Sequence, residues 1–147
     1  METRDRILLR PACAGDAAAI AALCGQLGYP TEAAEIRSRL ERRCEEAGHA
    51  VVVACAGERA VGWLEVQAAS SLEGGLWAEI TGLIVDENAR RRRVGERLVQ
   101  WAKEWARTHD HTRLRVRTNV VRREVPAFYE REGFREAKQQ RVFDLPL

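Results

Sequence analysis

The sequence predicts a mixed α/β (α+β) fold, a central mixed sheet flanked by helices. Three observations predict it. Strand-like and helix-like stretches follow in the order β-α-α-β-β-β-α-β-α-β, a strand–helix–strand unit lies at the centre, and 147 residues suffice for one core of ordinary size. A single domain over residues 1–147 is therefore expected.

Ile7, Leu8 and Leu9 form a short apolar run ended by Pro11, a first strand. Asp16 is placed to cap an Ala-rich helix in which Ile20, Leu23, Cys24 and Leu27 recur at helical spacing, and Gly28 stops it. Thr31 reads as the next N-cap, with Ile36, Leu40 and Cys44 on one face of a second helix that ends at Gly48. Residues 50–55 and 60–66 read as a hairpin around Ala56-Gly57-Glu58-Arg59. After a loop over residues 70–75, the stretch 77–85 (WAEITGLIV) is the strongest strand, rich in β-branched residues.

A basic turn leads to a third helix marked by Val94, Leu98, Trp101 and Trp105. Leu114 and Val116 then alternate with Arg113, Arg115 and Arg117, a strand with one wet or ion-paired face. A short helix over residues 126–132 ends at Gly133, with Pro126 in its first turn, where a missing N–H costs little. A final strand is expected within residues 134–145.

With 46% apolar and 31% charged residues the chain is globular, which excludes disordered and collagen-like classes. No apolar run approaches the ~18 residues of a membrane span, and METRDRILLR lacks a signal-peptide core, so no membrane partner and a cytoplasmic location are expected. Cys13, Cys24, Cys44 and Cys55 are widely spaced, without a C-x-x-C pair or a nearby His. They read as small apolar residues, and no metal site is expected. The net charge of +2 argues against a general nucleic-acid binder, although 22 of the 24 basic residues are Arg.

The informative stretch is residues 77–99, WAEITGLIVDENARRRRVGERLV. A strong strand runs into a turn holding Arg90, Arg91, Arg92 and Arg93, and a helix starts there with Gly95 near its beginning. Such a start presents unpaired N–H groups and a partial positive charge, which suit a pyrophosphate. Gly95 lets a ligand approach the backbone without a Cβ in the way.

Arg90-Arg91-Arg92-Arg93-Val94-Gly95 resembles the Gln/Arg-x-x-Gly-x-Gly/Ala signature of the GCN5-related N-acetyltransferase (GNAT) family, matching at Arg90 and Gly95. Arg93 stands where the family has its first Gly; there a side chain is accommodated if φ stays negative, and its charge is available to a phosphate. Downstream, Asn119, Ala127, Phe128, Tyr129, Gly133 and Phe134 are similar to the family's second motif, an Asn at the end of strand five and a helix bearing Ala-Phe-Tyr before Gly-Phe. The element order extends the resemblance over nearly the whole chain.

The resemblance implies a mostly antiparallel GNAT-like sheet and transfer of an acetyl group from acetyl-CoA to a primary amine, by direct attack in a ternary complex and without metal. It implies that Glu79 is the general base and that Tyr129 protonates the departing sulfur. It further implies that Leu83, Ile84 and Val85 pair with the pantetheine arm, and that the turn and helix start (Arg90 to Arg93, Val94, Gly95, Glu96 and Arg97), with Asn119, contact the cofactor. A homodimer is common among relatives. The acceptor stays open: a small amine, an aminoglycoside-like compound or a protein amine. Glu32, Glu35, Glu73 and Glu79 are acids available to a cationic acceptor.

Blander readings stand beside these. The four arginines also read as a solvated charge run, Tyr129 as a core aromatic, Glu79 as a carboxylate paired with an arginine, and Asn119 as a turn cap. His49, His109 and His111 read as surface loop residues. Trp101 and Trp105 read as packing residues, and Trp63 or Trp77 is a candidate wall of an acceptor site. The rival functions are a non-catalytic acyl-CoA sensor and a nucleic-acid site on the arginines.

Overall fold

A computed structural model describes residues 6–44 and 46–147; the start of METRDRILLR lies outside the described residues. The chain divides into two units, Met1–Arg117 and Thr118–Leu147.

The first unit is built on a five-stranded sheet in the order β1 (Ile7–Pro11), β2 (His49–Ala56), β3 (Arg59–Ser71), β4 (Gly75–Val85), β5 (Leu114–Val116). The first four strands run antiparallel and β5 lies parallel to β4, so the sheet is mixed and mostly antiparallel, as the sequence implied. Side chains alternate across it. On one face Val53, Cys55 and Ile84 pack with Ile20, Leu23 and Cys24 of α1 (Ala17–Gln26) and Leu40 of α2 (Ala33–Arg43). The alternate residues Val52, Ala54, Leu64 and Val66 are fully buried on the other face. There α3 (Val94–Thr108) sets Val94, Leu98, Val99, Ala102 and Ala106 against them, spaced as one helical stripe. Each large side chain so buried contributes about 1.5–3 kcal/mol.

Several boundaries differ from the expectation. Asp16 occupies the N-cap position of α1, but its carboxylate makes no cap bond. It instead accepts from Arg10 at 2.7 and 2.8 Å and from the Cys13 N–H, because an arginine fork on β1 is the stronger donor. The N-cap of α2 is Glu32 rather than Thr31, whose hydroxyl donates to the Tyr29 carbonyl. The hairpin strands are longer than their apolar cores, and β3 reaches Ser71. His109 and His111 are not bare loop residues: both stack on Trp105, with ring centroids 4.3 and 5.7 Å away.

The second unit contains α4 (Val125–Arg131), with Pro126 in its opening turn. Residues 134–147 form no strand, against expectation. A strand needs a neighbour for its N–H and C=O groups. The described sheet ends at β5, and Val142, Phe143, Leu145 and Leu147 stay exposed.

Candidate active site

β4 is paired along its whole length with β3, but with β5 only over residues 78–80. Beyond Ile80 the β5-side edge of residues 81–85 has no strand partner among the described residues. The register of β3 and β4 also slips between Glu65 and Val66, which leaves Thr81 as an extra residue on β4. Its hydroxyl donates to Glu65 Oε1 at 2.7 Å, and Glu65 is paired with Arg43 of α2. Leu83, Ile84 and Val85 therefore lie on an open strand edge just past a bulge.

A buried carboxylate fixes where this edge ends. Asp86 accepts from the Asn88 N–H at 3.0 Å and from Arg59 at 2.6 Å, while its own N–H donates to the Val61 carbonyl at 2.8 Å. Asn88 above all, with Arg59 beside it, holds the Asp86 carboxyl below the usual carboxylate range. The chain then makes a 3₁₀ turn over Glu87–Arg92 and enters α3. Asp86 was not singled out from the sequence, although an Asp two residues before an Asn is the signal of such a turn.

Arg93 is the N-cap of α3 and has φ 58°, ψ 27°, the left-handed region. The condition for accommodating a side chain here, a negative φ, is therefore not met: the chain reverses between the 3₁₀ turn and the helix through a conformation that favours glycine. The first helical bond runs from the Arg97 N–H to the Arg93 carbonyl at 3.1 Å. The N–H groups of Val94, Gly95 and Glu96 precede it and have no intrahelical acceptor. Arg90 and Arg93 extend their side chains into solvent, whereas the side chain of Arg91 lies outside the described residues. Arg97 differs from its neighbours, since its guanidinium donates to the Ile7 carbonyl of β1.

Gly62 draws this helix start onto the sheet. A Cβ there would lie 3.1 Å from the Ile84 carbonyl oxygen, 3.1 Å from Val94 and 3.3 Å from Leu98. Only glycine permits that approach without a shift, a requirement that sequence reading missed.

Glu79 lies on the α1/α2 face of β4 and is largely covered, with 14% of its side chain exposed. Trp77 Nε1 donates to its Oε1 at 3.2 Å and Arg117 Nε to the same oxygen at 3.3 Å. Oε2 takes no hydrogen bond among the described residues. The paired-carboxylate reading and an available acceptor oxygen are thus both present in one side chain.

In the second unit, Asn119 Oδ1 accepts from the Val121 N–H at 3.1 Å and caps a turn. Tyr129 is buried on α4 between the ring edges of Phe128 and Phe134, with centroids at 5.1 and 5.5 Å. Gly133 at φ 97° makes the reversal, and the Phe134 N–H donates to the Tyr129 carbonyl at 3.0 Å. Burial pushes the Tyr129 phenol up to about 12, so the hydroxyl stays protonated at neutral pH. No cluster able to hold a metal ion occurs among the described residues.

Comparison with known proteins bears on these parts. The profile of the family described as "Acetyltransferase (GNAT) family" matches residues 18–134. An aminoalkylphosphonate N-acetyltransferase of Salmonella typhimurium is 32% identical over 78 residues, 52% of this chain; the match spans 51% of that curated relative. The aminoglycoside 6'-N-acetyltransferase AAC(6')-Ih of Acinetobacter baumannii superposes with a TM-score of 0.82 at 18% identity, over 97% of this chain and 99% of that one. The aminoglycoside N-acetyltransferase AAC(6')-Iy, solved with CoA, gives a TM-score of 0.87 at 15% identity over all of both chains. The two structures show likeness of fold. With a match over most of its length, the chain belongs to the GNAT family of acetyltransferases.

Proposed function

We propose that the chain acts as a single N-acetyltransferase domain over residues 1–147, in the cytoplasm, moving an acetyl group from acetyl-CoA to a primary amine. The observation that carries this reading is the sequence of two open features in one run of backbone. The unpaired edge of residues 81–85 is followed, through the Arg93 turn, by the free N–H groups of Val94, Gly95 and Glu96. A pantetheine arm pairs with the first as a further strand would, and a diphosphate accepts from the second. Arg90, Arg91, Arg92 and Arg93 add positive charge there, and Asn119 is a further contact. Arg97 serves through its bond to Ile7 rather than by touching phosphate.

An amine has a pKa near ~10 and is mostly protonated at neutral pH. Glu79 Oε2 removes the proton, directly or through water. The freed nitrogen attacks the thioester carbon, whose oxygen accepts from a backbone N–H of the 81–85 edge. The new C–N bond forms as the C–S bond breaks; Tyr129 gives its proton to the thiolate, and the second proton of the attacking nitrogen passes through water to the tyrosinate and restores the phenol. The curated relative and the aminoglycoside enzymes agree with amine acceptors. A homodimer is proposed on the exposed Val142, Phe143, Leu145 and Leu147, and light scattering tests it.

Thiol release from acetyl-CoA with a panel of amines is the test. Glu79→Gln is expected to lower kcat about 10²–10⁴-fold with little change in acetyl-CoA affinity. Undiminished turnover in that variant would remove Glu79 from the reaction.

A further inference from the structure

Glu79 does not stand on an acidic surface. The register carries one polar row across four strands, with His49 of β2 opposite Gln67, Gln67 opposite Glu79, and Glu79 opposite Arg115 of β5. His49 Nε2 donates to Gln67 Oε1 at 2.7 Å, which ties the row together at its β2 end. At its other end Arg115 and Arg113 lie over the Trp77 ring at 4.9 and 5.0 Å, and Arg117 reaches Glu79.

Beyond His49 opens a cavity of about 260 Å³, lined by Arg39, Arg42 and Arg43 of α2, by Glu46 and by His49. The acids nearby are already matched: Glu35 lies 3.6 Å from Arg39, and Glu65 pairs with Arg43. Glu46 is the one acid in the lining, and Arg42 makes no ion pair with an acid among the described residues. Arg42 is thus the unmatched fork, and Arg39, three residues before it on the same helix and held to Glu35 only by a long, exposed contact, stands beside it; together they make a site for an anion, since the planar fork matches a carboxylate or phosphonate with two parallel hydrogen bonds. A polycation such as an aminoglycoside would face like charge at both ends of the row.

Building on the acetyltransferase reading above, we infer that the acceptor is an amine carrying an anionic group, which Arg39 and Arg42 hold in this cavity while the amine meets Glu79. Adjacent strands lie about 4.8 Å apart, so the two strand steps from His49 to Glu79 put the amine–anion separation on the order of 10 Å. The anion is a phosphonate, phosphate or carboxylate.

The experiment compares thiol release from acetyl-CoA with ω-aminoalkylphosphonates of increasing chain length, the matching ω-amino carboxylates, plain n-alkylamines and kanamycin. Arg42→Ala and Arg42→Lys, both changes at an exposed helix position, are run alongside wild type. The expected result is a KM at least about tenfold lower for the anionic amines than for alkylamines of equal length. Arg42→Ala is expected to erase that advantage and Arg42→Lys to restore part of it, while alkylamine turnover is unchanged. Preference of phosphonate over carboxylate would identify the doubly charged group, and the reverse the singly charged one. A preference for alkylamines or kanamycin, or an equal effect of Arg42→Ala on every acceptor, overturns the inference and leaves the transferase reading intact. If acetyl-CoA binds but no amine releases thiol, the transferase reading falls. Calorimetry with an n-alkylphosphonate then decides the anion site alone: binding lost in Arg42→Ala supports it, and absence of binding to wild type overturns it.

Discussion

Replacing Arg93 with glycine separates the backbone role of this residue from its charge. At φ 58°, ψ 27° a side-chain-bearing residue costs about 1–2 kcal/mol relative to its right-handed alternatives. Glycine has no such penalty, but it makes the unfolded chain more flexible, an offset of about 0.4–1 kcal/mol. The side chain contributes little to hold the turn, since it is 83% exposed and only 3.9 Å from Glu96. The net expectation is a gain of about 0.5–1 kcal/mol, or about 2–4 °C in Tm for a chain of this size. The charge acts the other way on the cofactor: losing an exposed guanidinium near a diphosphate is worth about 0.2–1 kcal/mol, up to about fivefold in Kd for CoA. Thermal unfolding and calorimetry on the same preparation read both numbers. A variant less stable than wild type would refute the strain argument, and one that binds CoA more tightly would refute the phosphate contact.

Four further outcomes are expected. Tyr129→Phe should lower kcat about 10²–10⁴-fold without weakening acetyl-CoA binding. In a Tyr29→Phe background, absorbance titration should place the remaining phenol near about 12. Asp16 and Asp86 are both held below the usual carboxylate range, Asp16 chiefly by Arg10 and Asp86 chiefly by the Asn88 N–H. Their folded values are depressed, so the stability they add is complete above the unfolded value near ~4 and is lost as pH falls through the folded values. Tm should therefore hold above about pH 5 and drop below about pH 4, with a shallower drop in Asp86→Asn; a flat acid limb would contradict the assignment. Gly62→Val should cost about 1–3 kcal/mol and weaken CoA binding together, because it pushes the start of α3 away from β3; unaltered CoA affinity would show that this seating is not needed.

What was legible in the sequence was what period and punctuation encode. The WAEITGLIV run became β4, the stripe of Val94 and Leu98 became the buried face of α3, and Gly133 closed the turn that brings Phe134 to Tyr129. What was not legible depends on partners distant in sequence. Asp16 looked like a helix cap because nothing local announces that Arg10 will take its carboxylate. Arg93 adopts a left-handed conformation that only the reversal into α3 demands, and the glycine that lets α3 approach sits thirty-two residues before Val94, at Gly62. The final strand expected within residues 134–145 does not form, since a strand also needs a neighbour and the described residues provide none. The cavity beyond His49 depends on the pairing of β2 with β3 and on where α2 ends; of the four acids available to a cationic acceptor, Glu35 and Glu79 are matched by Arg39 and Arg117, partners that the sequence does not announce.

Backbone amide chemical shifts during a titration with CoA test the phosphate grip most directly. Saturable shifts of Val94, Gly95 and Glu96, together with residues 83–85, are the predicted result. Saturable binding that leaves those amides unmoved would contradict it, as would no binding at all to the folded protein.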